Sequence, residues 1–206
     1  LDGILVDPQS LATMGKEFSA RLADYEAEIF RLAGHTFNIA STQQLSTVLF
    51  EELKLPVIKR TKSGYSTNAE VLERLVSKHE IATVLLEHRK LAKLINTYTE
   101  VLQREVNSTT GRVHATFQQT VGATGRLITT DPDLQRTPIK TPEGRRIRET
   151  FIAKEGHRLV SADWSQIELR LLAHFTGDDL LVEAFANNLD VHARTASQIF
   201  ACELGA

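Results

Sequence analysis

Residues 159–170 read Leu159-Val160-Ser161-Ala162-Asp163-Trp164-Ser165-Gln166-Ile167-Glu168-Leu169-Arg170, and this run decides the fold class. The short apolar stretch from Arg158 to Ala162 predicts a strand that ends at Asp163. Helical spacing takes over at once and predicts a helix from Ser165 to Phe175. A strand that hands directly to a helix, in a chain patterned mostly as helix, gives an α+β fold that is mostly α. A carboxylate at the end of a strand is held rigidly and suits a hard cation such as Mg²⁺. Taken alone, an Asp in this position is most often a helix cap or a turn residue.

Downstream, Asp178–Ala186 and Asp190–Phe200 are predicted helices, each led by an Asp suited to the cap. Gly177 then reads as a helix stop. The run Gly177-Asp178-Asp179 therefore needs no catalytic interpretation. With Asp190 as cap, His192 falls in the first helical turn, where backbone N–H groups favour anions.

Upstream of residue 107 the pattern is helical almost throughout. Leu11, Phe18, Leu22, Ile29 and Leu32 recur at helical spacing from about Ser10 to Ala33, and Gly34 ends the run. A second helix is predicted from Ser41, with Leu45, Val48, Leu49 and Leu53 on one face, stopping before Pro56. Lys54 to Thr67 carries Lys54, Lys59, Arg60 and Lys62 without an acid, and reads as a basic loop. Further helices are expected over Asn68–Ser77 and from Ile81 to Arg104. Beyond the turn cluster 107–111, Val113 to Val121 is rich in Thr, Val and Phe and reads as strand, broken by Gly122 and Gly125. The change of character near residue 107 divides the chain into residues 1–107 and 108–206.

A formal net charge of −2 gives no global basic excess, so a nucleic-acid partner would have to be held by local patches. The single Cys202 excludes an internal disulfide and a zinc framework. No run of eighteen apolar residues occurs, so no membrane span is expected. The chain starts at Leu1-Asp2-Gly3 and stops at Leu204-Gly205-Ala206, and both ends read as cuts in a longer polypeptide.

The run Asp163-Trp164-Ser165-Gln166-Ile167-Glu168-Leu169-Arg170 resembles motif A of the family A (DNA polymerase I type) DNA polymerases. The likeness extends over essentially the whole chain. It includes Ser41-Thr42-Gln43-Gln44-Leu45, the Arg89–Leu94 and Thr97-Tyr98-Thr99 helix, Thr124-Gly125-Arg126-Leu127 and Asp190-Val191-His192. The resemblance implies template-directed transfer of a nucleotide from a dNTP to a primer 3′ end, in DNA replication or repair. It makes residues 1–107 a helical thumb with its leading helix, and 108–206 the first part of the palm, a segment of antiparallel strands and flanking helices cut before the fingers. Asp163 and the main chain of Trp164 would bind Mg²⁺. The family usually has Tyr where Trp164 stands, and a contact through the main chain tolerates the change. Glu168 would exclude a 2′-hydroxyl, with Ser165, Gln166 and Ile167 lining the nucleotide pocket and His192 meeting the phosphates.

The same resemblance assigns Arg126, beside Thr124, to the minor groove at the primer end. Minor-groove acceptors are shared by all base pairs, so an Arg there senses pairing geometry without reading sequence. Gln135 and Lys140 match further duplex-binding positions in kind. Asp133 and Arg136 stand where the family generally has Asn, which implies a rearranged local pattern. Lys59, Arg60 and Lys62 fall on the thumb tip, where cations track backbone phosphates. The Gly144-Arg145-Arg146-Ile147-Arg148 cluster is assigned either to DNA or to carboxylates of the palm. Primer-template duplex and dNTP are the implied partners of a monomeric cytoplasmic protein of bacterial type, phage or organellar origin being the other sources. Nothing in the sequence supplies the second carboxylate that a two-metal site needs. The chain alone is therefore expected not to polymerise. A translesion or end-joining relative and a non-catalytic duplex-binding fragment are the alternatives. Glu168 argues against a single-subunit RNA polymerase.

Overall fold

Asp7 starts the longest helix. Its Oδ1 accepts the Gln9 and Ser10 backbone N–H groups at 2.9 and 3.1 Å. Pro8 takes the first helical position, where its missing N–H costs nothing. Helix α1 (Pro8–Ala33) therefore begins two residues earlier than the apolar spacing alone suggests, and Gly34, at φ 83, closes it in the left-handed region. These coordinates are a computed structural model describing residues 2–61 and 64–203; Lys62 of the basic loop lies outside them.

The second predicted helix forms as α2 (Thr42–Ser46), capped by Ser41, and runs on as a π-turn over Thr47–Glu52. Leu45, Val48 and Leu49 are fully buried, as their spacing requires. Within the basic loop, β2 (Arg60–Thr61) and β3 (Gly64–Tyr65) pair antiparallel. Helix α3 (Ala69–Leu75) follows, capped by the Asn68 side chain. The long helix predicted from Ile81 to Arg104 is a single rod with an interruption. It comprises α4 (Glu80–Leu94), a π-turn over Ile95–Thr99, and α5 (Glu100–Glu105). In the interruption the buried Thr99 hydroxyl donates to the Ile95 carbonyl, an insertion that loosens the regular ladder.

Helix α1 serves two apolar clusters. Its C-terminal end delivers Ile29 to a cluster built from Leu45, Leu49, Leu72, Leu75, Ile81 and Leu85. Its N-terminal half places Leu11, Met14 and Phe18 against Leu91, Tyr98 and Leu102 of the rod, together with Val6, Val113 and Ile147. Burying side chains of this size contributes about 1.5–3 kcal/mol each.

The strand expected from Val113 to Val121 is two strands. β4 (Arg112–Val113) and β5 (Thr116–Gln118) are separated at His114 and Ala115, and pair with different partners. β1 (Ile4–Val6) lies between β4 and β7 (Phe151–Ile152), antiparallel to both, with Leu5 opposite Arg112 and Ile152. β5 pairs with β6 (Ile128–Thr130) as a separate hairpin, Phe117 facing Thr129.

Helix α6 (Pro142–Glu149), capped by Thr141, docks on α1 through charge. Arg146 donates two hydrogen bonds to Glu17, at 2.8 and 2.6 Å, and Arg21 donates to Glu143 at 3.1 Å. The Arg146 bonds hold the Glu17 carboxyl below its ordinary pKa. Of the alternatives set for the arginine cluster, Arg146 is thus committed to a carboxylate, and the carboxylate belongs to α1. Gly144 is buried, and a Cβ there would stand 2.8 Å from both Cβ and the carbonyl oxygen of Pro138. Gly144→Ala is expected to destabilise the chain by about 1–3 kcal/mol, as overpacking does. Urea unfolding of the two proteins checks this, and an unchanged midpoint would show that the 138 loop yields freely.

These elements form one compact unit ending at Arg158, and a second unit runs from Leu159. In the second, α7 (Ile167–Thr176), α8 (Asp179–Ala186) and α9 (Val191–Phe200) appear where expected. Gly177 ends α7 in the left-handed region, and the Asp178 side chain caps α8 at the Leu181 N–H. The strand predicted over Arg158 to Ala162 does not form. No described strand pairs with it, and Leu159 and Val160 are exposed, Val160 at 89%. An extended apolar run has no ladder to join without a neighbour, so Asp163 follows an unpaired segment instead of a sheet edge.

Candidate functional site

Within the second unit, Asp163 and Trp164 are exposed on the segment that enters α7. The entry is a fixed turn. Gln166 sits in the left-handed region at φ 54, an uncommon state for a residue with a side chain. The Arg170 Nε donates to the Ser165 carbonyl at 3.0 Å, and the Arg170 N–H donates to the Gln166 carbonyl at 3.0 Å. The Arg170 guanidinium also lies over the Phe185 ring, 4.6 Å from its centroid, which ties the turn to α8. Arg170 therefore braces the run. Glu168 stands in the first turn of α7 on the exposed side, Ile167 and Gln166 half-buried beside it.

His192 occupies the first turn of α9, as the Asp190 cap requires. Asp190 Oδ1 accepts from the His192 and Ala193 N–H groups at 2.8 and 3.1 Å. Those two donors are satisfied, so the exposed imidazole, and not the helix end, is what His192 can offer an anion. Arg194 on the same helix reaches Glu183 of α8 at 2.7 Å.

Among the described residues no group of three or more His, Cys, Asp or Glu side chains converges on a metal-sized position. The donor set fits a hard cation only in part. The Asp163 carboxylate and the Trp164 carbonyl supply oxygens of the right kind, and a complete site needs more.

In the first unit, Thr120 to Leu127 forms the tip of the β5–β6 hairpin, as the Gly-broken pattern predicts. Its turn is closed by the Gly125 N–H on the Gly122 carbonyl at 3.0 Å. Gly122 has no room for a side chain, since a Cβ would meet the Arg126 carbonyl oxygen at 2.6 Å. Thr124 and Arg126 are exposed on this tip. Gln135 faces the hairpin backbone. Its Oε1 accepts from the Thr129 N–H at 2.9 Å and its Nε2 donates to the Leu127 carbonyl at 3.0 Å. Asp133 and Arg136 pair with each other, Oδ2 to Nε at 3.2 Å. Lys140 is exposed, and its carbonyl accepts from Arg145.

On the β2–β3 hairpin, Lys59 approaches Glu70 at 3.8 Å and Arg60 lies over the Tyr65 ring. Both are largely exposed, so the pairing is weak and each cation remains available to an anion. A groove of about 770 Å³ flanks this hairpin, lined among others by Thr42, Thr47, Glu51, Tyr65, Thr67 and Arg89. Arg89 donates to the Thr67 carbonyl and hydroxyl, and burial lowers the guanidinium pKa from its ordinary value. Sequence reading missed this groove, because its lining residues come from three separate segments.

Residues 8–206 match the profile of the family described as DNA polymerase family A. The chain belongs to DNA polymerase family A. It is 49% identical over 202 residues to DNA polymerase I of Caldicellulosiruptor bescii, covering 98% of this chain and 24% of that protein. Against DNA polymerase I of Geobacillus stearothermophilus it is 50% identical, covering 96% and 23%. The fold matches the POL domain of Pol1 from M. smegmatis, in complex with DNA primer-template and dNTP. That match has a TM-score of 0.89 at 41% identity and covers 98% of this chain and 36% of that one. The family A chain thus spans about a quarter of the length of the curated relatives it matches. Among its described residues no helix is long and apolar enough to cross a membrane.

Proposed function

We propose that this family A chain is part of an enzyme performing template-directed DNA synthesis, with residues 1–107 as thumb and 108–206 as the first part of the palm. The observation that carries the reading is the exposed Asp163 at a turn fixed by Arg170, within a chain about half identical to two DNA polymerases I. Asp163 and the Trp164 carbonyl would hold Mg²⁺. When bound, Mg²⁺ supplies charge stabilisation to the attacking and leaving oxygens of nucleotidyl transfer. Ser165, Gln166 and Ile167 line the nucleotide pocket, Glu168 excludes the 2′-hydroxyl, and the His192 imidazole meets the phosphates. Arg126 and Thr124 reach the minor groove at the primer end, with Gln135 and Lys140 beside them. Lys59, Arg60 and Lys62 track the duplex backbone. The protein acts as a monomer in the cytoplasm, beside the nucleoid.

The 206-residue chain itself provides the first test. It is expected to bind primer-template without sequence preference and to incorporate no nucleotide, since a single strong carboxylate does not complete a two-metal site. Replacing Lys59, Arg60 and Lys62 by Ala should reduce the slope of log affinity against log salt by about 2–3, or nearly one per phosphate contact. Fluorescence anisotropy over a salt series measures the slope. Salt-independent binding would remove the phosphate-tracking role, and sustained incorporation by the chain alone would contradict the incomplete site.

A further inference from the structure

Tyr98 lies in the π-turn of the long rod and is almost fully buried, 4% exposed. A buried phenol needs a partner for its hydroxyl, and this one donates to the Arg136 carbonyl. Burial pushes the Tyr98 pKa above its ordinary value, with the Asp133 charge adding to the effect and Arg136 opposing it. The hydroxyl thus remains a donor. From Arg136 the connections continue in short steps. Asp133 accepts from Arg136 Nε and from the Thr129 hydroxyl, each at 3.2 Å. The Gln135 N–H donates to that same hydroxyl at 3.3 Å, and its side-chain amide bridges the Thr129 N–H and the Leu127 carbonyl. Leu127 is the residue after Arg126.

A two-stranded ribbon on its own is marginally stable, and the β5–β6 hairpin has only three paired positions. What sets the place of its tip is therefore the segment it leans on. One side of residues 133–136 is fastened to the ribbon and the other to a buried side chain of the helical rod. We propose that Tyr98 is a positioning residue. Through the Arg136 carbonyl and the Gln135 amide it fixes the hairpin tip that carries Arg126. The Asp133–Arg136 pair closes the brace on its other side, since Asp133 also accepts from the Thr129 hydroxyl of the ribbon. The inference rests on the polymerase reading above, which gives Arg126 its task at the primer end. A misplacement of about 1 Å in such a group can cost about a hundredfold in rate.

The test uses the whole polypeptide that carries this chain. Tyr98→Phe, Arg126→Ala and the double variant are compared by single-turnover incorporation from a paired primer end, duplex affinity and thermal melting. Tyr98→Phe removes one hydroxyl and is expected to slow incorporation about threefold to tenfold, the size of one lost hydrogen bond. Duplex affinity should stay unchanged, and in the Arg126→Ala background the same substitution should cost nothing further. Full rate in Tyr98→Phe, or losses that multiply in the double variant, would overturn the positioning role while leaving the polymerase reading intact. Full rate in Arg126→Ala would remove the task assigned to Arg126 and the positioning role with it. An unsubstituted protein unable to extend a primer would defeat the polymerase reading itself.

Discussion

Asp163→Ala, made in the polypeptide that carries this chain, is expected to lower nucleotide incorporation by about 10³-fold or more while duplex affinity stays within about twofold. The separation of the two effects follows from where the side chain sits. Asp163 is exposed on a segment outside any helix or strand, so its removal leaves no cavity and breaks no described hydrogen bond. The turn that follows is held by Arg170 on the Ser165 carbonyl and by the stacking of Arg170 on Phe185, neither of which involves Asp163. The loss therefore falls on charge. Asp163→Asn, nearly the same in shape, should be almost as inactive as the Ala variant, because an amide is a far poorer ligand for a hard cation. Single-turnover incorporation with Mg²⁺ and dNTP, beside anisotropy with primer-template, separates rate from affinity. Incorporation within tenfold of the parent in either variant would remove Asp163 from the reaction.

Glu168→Ala has the second largest expected effect, on which sugar is accepted more than on rate. Its place one helical turn before Leu172, on the exposed side of a rigidly entered helix, suits a group that rejects a substrate by occupying space. The preference for a deoxyribonucleotide over the matching ribonucleotide should fall by about a hundredfold, a scale typical of selection by shape at one hydroxyl. Deoxynucleotide incorporation should change much less. The ratio of kcat/KM for the two sugars is the measurement. An unchanged ratio would return Glu168 to the role of a surface carboxylate.

Much of the fold was legible because the helices obey strong local rules. Apolar spacing located α1, the rod and the last three helices, and the caps at Asp178 and Asp190 follow from side chains that compete well for a free N–H, while the Asp7 cap stands ahead of the apolar pattern. Strands were harder to read. A strand exists only where a partner exists, and the partners of Leu5 are Arg112 and Ile152, which no local pattern links to it. The same cause undid the strand predicted over Arg158 to Ala162, whose residues are apolar enough but pair with nothing described. At the site, the motif residues could be named from lettering, and the Gly122–Gly125 turn from its glycines. The brace behind Arg126 could not be read that way. Tyr98 falls inside the helix expected from Ile81 to Arg104, and nothing local says where a hydroxyl buried there would go.

The place of β1 has a consequence for synthesis in the cell. Helices α1 to α5 can bury Phe18, Ile29 and Leu85 as soon as residue 105 has left the ribosome. The three-stranded sheet cannot close until Ile152 has emerged as well, because one of its outer strands, β7, is made last of the three. Closing such distant pairings is slow compared with helix packing. One edge of Ile4–Val6 therefore has no partner until β7 is made, and an unpaired strand edge is open to mispairing with a neighbour.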